Sequence, residues 1–134
     1  MDQTHLPHSD LKATLADLKG DTKALQLLAA EFVKCSPDQT IAMARAYREG
    51  DLPALVKGLH QARCSIGIFR ALTALEQAVK LERMADRNEV IPHEAFYRFL
   101  NSYMQLGLEL CRFLDQPERL TQLGYSELAH TNEA

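Results

Sequence analysis

The run Gly50–Glu82, GDLPALVKGLHQARCSIGIFRALTALEQAVKLE, decides the fold, because it holds one complete helix, its start signal, a turn and a second helix. Gly50 terminates whatever precedes it, Asp51 is a cap, and Pro53 sits just inside the first turn, where a missing N–H costs nothing. At 100 degrees per residue Leu52, Leu55, Leu59, Ala62 and Ile66 fall in one arc, which is a core face. His60 lies about 120 degrees from the centre of that arc, beside Val56, Arg63, Cys64 and Gly67, on a face turned to solvent or to a partner. Gly67 reads as the end of the helix or a tight bend, after which Leu72, Leu75 and Val79 make the apolar face of the next one.

The same period extends in both directions. Upstream, SDLKATLADLKGD carries Leu11, Leu15 and Leu18 on one face with Ser9 as cap and Gly20 as terminator, a short lid helix. Asp21 caps a helix striped by Leu25, Leu28, Phe32 and Cys35, and Ser36-Pro37 reads as a fresh cap and first-turn proline that starts another helix running to Gly50. Downstream, DRNEVIP is the longer loop, and from Pro92 the residues Phe96, Phe99, Leu100, Tyr103, Leu106, Leu110 and Phe113 sustain a stripe over some six turns, the longest helix of the chain, up to Pro117. No period-two stretch rich in β-branched residues occurs. The expected fold is all-α, an antiparallel up-and-down four-helix bundle with an extra short N-terminal helix, in a single domain spanning 1–134 with a core of about 9–116 and tails that include a polar, fraying SELAHTNEA.

A net charge of −3 speaks against general affinity for nucleic acid or anionic membrane. No apolar run is long enough for a bilayer, and MDQTHLPHSD lacks the basic and apolar parts of a signal peptide, so a cytoplasmic location is expected. Cys35, Cys64 and Cys111 are odd in number and lack CxxC spacing, as reduced thiols would be, mostly core filler. His5 and His8 fall in a mobile start, His93 near the beginning of a helix and His130 in the tail, so none joins a metal set. The aromatic residues of the last helix repeat with its period and belong to the core, with Arg98 and Arg112 on its solvated side.

From Leu52 through Leu75 there is no Asp or Glu, whereas Lys57, Arg63 and Arg70 are present. An acidic protein thus carries one local positive patch around His60. A neutral imidazole nitrogen is a nucleophile, and nearby cations favour an anionic group placed on it, which points to a phosphoryl. Gly58, Cys64, Ser65 and Gly67 leave room for another protein's backbone to approach. His60 and Cys64 at i, i+4 also permit a thiol–imidazole pair, but no orienting carboxylate or oxyanion hole accompanies them, and a redox-sensing Cys64 would have no resolving partner. No nucleotide-binding signature occurs, so phosphate has to come from a phosphorylated donor and not from ATP.

The run HQARCSIGIFRALTALEQAVKLE resembles the histidine-containing phosphotransfer (HPt) domains of bacterial two-component phosphorelays. Their pattern is a histidine, a small or hydrophobic residue, Lys, Gly and a small residue, then Gly-Ala opening the next helix and a Leu-Glu pair near its end. Here these are His60, Ala62, Arg63 in place of the lysine, Cys64 in place of the glycine, Ser65, Ala71, Ala78 and Leu81-Glu82. Arg70 stands where a glycine usually ends the turn, so docking surface and turn differ there. The resemblance spans Asp10 to Glu82. It implies a phosphocarrier, not an enzyme: His60 accepts a phosphoryl group from a receiver-domain aspartate and passes it on, and Arg63 helps to hold it. Implied partners are response-regulator receiver domains and a hybrid sensor histidine kinase, docking around Val56, Lys57, Cys64, Gly67 and Arg70. No cofactor of its own is implied, magnesium being on the receiver. The alternative is an HPt-like adaptor that binds receivers or kinases without carrying phosphate.

Overall fold

The computed structural model describes residues 8–114, and these form five helices and no strand. They are α1 (Leu11–Asp17), α2 (Thr22–Glu49), α3 (Leu52–Ile68), α4 (Leu72–Asp86) and α5 (His93–Phe113). Among them α2 packs on α3 and α5, and α4 on α3 and α5, closing a ring of neighbours; α1 lies against α2. None of these helices is long and apolar enough to cross a membrane. The expectations for His5, Pro117, His130 and the polar tail lie outside the described residues.

The signals that end the helix before His60 and start the one that carries it are realised. Asp51 caps α3 by accepting from Ala54 N–H, and Asp21 caps α2 by accepting from Ala24 N–H. Gly50 adopts φ 70°, the left-handed conformation in which glycine escapes a Cβ clash, and Asp51 N–H closes back on Ala46 O at 2.9 Å. Leu55, Leu59, Ala62 and Ile66 are fully buried, as the wheel requires.

Three readings are corrected. First, Pro37 starts no helix: α2 runs unbroken for 28 residues with Pro37 inside it, and is longer than the 21-residue α5. The reason lies in the phase of the buried stripe. Leu25, Ala29, Phe32, Ser36, Met43 and Ala46 recur at three, four or seven residues across the proline, so one continuous face packs on the core and outweighs the lost hydrogen bond. Second, α1 is capped by Asp10, which accepts from Ala13 N–H. Ser9 instead donates its hydroxyl to Glu109 on α5, at 2.9 Å, and His8 N–H donates to the other oxygen of the same carboxylate, so His8 is tied down. Third, Gly67 is inside α3; the left-handed turn residue is Arg70, with φ 54°.

Glu109 is buried, and burial pushes its carboxyl above the ordinary carboxylate range despite the bonds from Ser9 and His8. The folded state therefore binds this proton more tightly than the unfolded chain. Stability from that proton is present at low pH and lost as pH rises through the folded value. Glu109→Gln is expected to remove this loss. In urea titrations the wild type should lose stability relative to the variant as pH rises from about 4. Parallel profiles would show that Glu109 titrates as an ordinary carboxylate.

Candidate phosphoryl-acceptor site on α3

His60 emerges halfway along α3, its side chain 55% exposed although the helix buries its opposite face completely. Arg63, one turn on, donates from Nη2 to His60 Nδ1 at 2.8 Å. Across the α3–α4 interface Glu82 brings Oε2 to 3.4 Å from that same Nδ1. Glu82 is placed there by α4's core stripe, which is Ala74, Ala78, Leu81 and Ala85 and not the expected Leu72, Leu75 and Val79, of which Leu72 is exposed. The small members of the stripe let the two helices approach and leave position 82 at the seam. Arg63 Nε lies 3.4 Å from Glu82 Oε1, an ion-pair contact without hydrogen-bond alignment, and that buried oxygen has no hydrogen-bond partner among the described residues. Among the described residues both contacts to the ring are made at Nδ1, which leaves Nε2 as the nitrogen free to meet a reacting group.

The positive patch is smaller than the local sequence suggests. Folding brings two carboxylates to it, Glu82 to His60 and Arg63, and Asp17 of α1 to Arg70 in a two-pronged pair at 2.8–3.1 Å. Of the three cations, Lys57 alone has no carboxylate at ion-pair distance among the described residues. Arg70 is thus occupied at the α3–α4 corner. There α1 also holds the chain through Asp10 N–H to Phe69 O at 2.9 Å and Thr14 Oγ1 to Ile68 O at 2.7 Å.

Val56, half-buried, and Cys64, exposed, share the His60 face, and Lys57 is exposed one turn before it. A Cβ added to Gly67 would meet nothing within 4 Å. Gly58 has a different role from the one its size suggested: a Cβ there would lie 2.7 Å from Cγ of buried Met43 on α2, so this glycine lets two helices touch and does not face a partner. Gly58→Val is accordingly expected to cost about 1–3 kcal/mol by overpacking, whereas Gly67→Ala, on an open helical position, should gain about 0.5–1 kcal/mol. Chemical denaturation of the two variants checks the contrast; equal effects would remove the distinction between packed and open glycines.

No hydrogen bond joins Cys64 to His60 among the described residues, and no metal-binding group of three or more His, Cys, Asp or Glu occurs among them. Cys111 is buried, and the half-buried Cys35 donates to Glu31, which pushes its thiol up and away from reactive thiolate character. Of the three cysteines Cys111 alone belongs to the core, so the core-filler reading is corrected for Cys35 and Cys64.

Two contacts at the candidate site escaped the sequence reading. The Leu81-Glu82 pair belongs to the resemblance, but nothing in a linear sequence assigns Glu82 to His60 Nδ1. The pairing of Arg70 with Asp17, 53 residues apart, has no sequence signal. No family model, no curated protein and no solved structure matches the chain.

Proposed function

We propose that the protein is a phosphohistidine carrier of a two-component phosphorelay, with α2 to α5 as an antiparallel up-and-down four-helix bundle and α1 as an accessory helix over one corner. The connections α2–α3 and α3–α4 span two and three residues, a length that joins antiparallel neighbours. The observation that carries the functional reading is His60 itself: an exposed imidazole on a rigid, core-packed helix, with an arginine hydrogen-bonded to Nδ1, a carboxylate 3.4 Å from the same nitrogen, and Nε2 free among the described residues.

In the proposed transfer the Nε2 lone pair attacks the phosphorus of a receiver's aspartyl phosphate. The Nε2–P bond forms, the P–O bond to the aspartate breaks, and the electron pair leaves with the aspartate carboxylate, stabilised by the receiver's magnesium. Arg63 is close enough to place its always-charged fork on the moving phosphoryl oxygens. The Nδ1 proton stays on the ring, and Glu82 faces the positive charge that the ring acquires. Transfer to the next receiver is the reverse of these steps. Partners dock on the face of Val56, Lys57, His60, Cys64 and Gly67.

Incubation with magnesium and phosphorylated receiver domains from the same cell tests the reading. Labelling of the protein supports the carrier. Binding of receivers without labelling by any of them overturns it in favour of the adaptor.

A further inference from the structure

Two groups compete for one atom. Nδ1 of His60 receives a hydrogen bond from Arg63 Nη2 at 2.8 Å, and the same nitrogen lies 3.4 Å from Glu82 Oε2. A neutral imidazole has one N–H and one lone pair, so these contacts exclude each other. When Arg63 donates to Nδ1, the lone pair is on Nδ1 and the proton on Nε2, so the accessible nitrogen is not a nucleophile. When Nδ1 carries the proton, it donates to Glu82, and Nε2 holds the lone pair. The shorter contact belongs to the unreactive tautomer.

We propose that Arg63 is a tautomer latch on His60: in the free protein its hydrogen bond to Nδ1 keeps the ring in the Nε2–H form, and Glu82 receives the Nδ1 proton once the guanidinium is drawn away. This rests on the phosphocarrier reading for its purpose, since the group that draws Arg63 off is the incoming phosphoryl, a stronger and more highly charged acceptor than a neutral nitrogen. The leash for that motion is present. Arg63 Nε stays beside Glu82 Oε1 at 3.4 Å, so rotation about the end of the side chain can free Nη2 from the ring without losing the ion pair. Glu82 has the capacity to take over, because Oε2, the oxygen that faces Nδ1 at 3.4 Å, accepts no hydrogen bond from the described residues in the latched arrangement. The proton moves from Nε2 to Nδ1 through solvent, with no net change of charge on the ring. Arg63 then acts twice, first suppressing the nucleophile and then stabilising the phosphoryl group whose arrival releases it. Glu82 is a positioning residue that acts through Nδ1.

The tautomer is directly readable in the unphosphorylated protein from the two imidazole 15N shifts, at a pH where His60 is neutral. The wild type should be mainly Nε2–H. Arg63→Ala should shift the tautomer ratio about tenfold toward Nδ1–H, the worth of one charge-assisted hydrogen bond. Arg63→Ala combined with Glu82→Ala should return the ratio to the wild-type side, and Arg63→Lys should lie between. Arg63 is at the surface, so its loss does not threaten the fold. A wild type already in the Nδ1–H form, or 15N shifts unmoved by Arg63→Ala, would overturn the latch. Because no receiver is present, these outcomes are independent of the carrier reading. A protein that shows the shift but is labelled by no phosphorylated receiver would instead sink the carrier reading and leave the competition for Nδ1 standing.

Discussion

His60→Gln is expected to abolish phosphoryl acceptance entirely while leaving the fold intact. The wild type, given magnesium and a phosphorylated cognate receiver, should acquire a phosphate that is labile in acid and stable in alkali, the behaviour of a phosphorus–nitrogen bond. Glutamine keeps a polar atom within reach of Arg63 but has no nucleophilic nitrogen. The side chain it replaces is more than half exposed, so stability should change by no more than about 0.5 kcal/mol. Cys64→Ser should retain most of the labelling, since no hydrogen bond connects that thiol to the ring among the described residues. A thiol-borne phosphate would reverse the pattern, with Cys64→Ser unlabelled and His60→Gln labelled. Persistent labelling of His60→Gln would therefore remove His60 from the chemistry.

Much of the fold was legible in local signals, although Ser9 is not the cap of α1 and Gly67 does not end α3. Asp51 and Pro53 start α3 and Gly50 ends α2 because capping, a fixed φ and a left-handed turn each depend on residues within one helical turn. The exposure of His60 followed from the 3.6-residue period alone. Pro37 misled the reading because its local preference is real, and only the phase of a buried stripe 22 residues long overrules it. At the site the same division holds. His60 and Arg63 are one turn apart on one helix, so their contact is visible in the spacing. Glu82 and Asp17 reach the patch from other helices, and both change its electrostatics: a segment with no acid in its sequence acquires two in space. The turn at Arg70 shows what that adds. A left-handed arginine costs about 1–2 kcal/mol where glycine is free, and contacts from α1 hold it in place.

Phe99→Ala is expected to be the most destabilising of these substitutions, at about 3–5 kcal/mol, and to lower the melting temperature by more than about 10 °C. Phe99 is wholly buried on α5 and stacks on Tyr103 with ring centroids 5.9 Å apart. Tyr103 meets Phe32 of α2 edge-on at 5.2 Å, and Phe32 meets Phe69 at the end of α3 at 5.7 Å. Removing the first ring leaves a cavity at one end of this chain of contacts, which rigid neighbouring helices cannot fill. Yet neither group that holds His60 is on α5: Arg63 is on α3 and Glu82 on α4. Stability of the usual 5–15 kcal/mol leaves the variant folded in the cold, and there it should accept phosphate at close to the wild-type rate per folded molecule. Denaturant titration gives the folded fraction and labelling at low temperature gives the rate. An unchanged melting temperature would contradict the packing of Phe99. A folded but inert variant would mean that the α5 core sets the geometry of His60, and that scaffold and site are not separable.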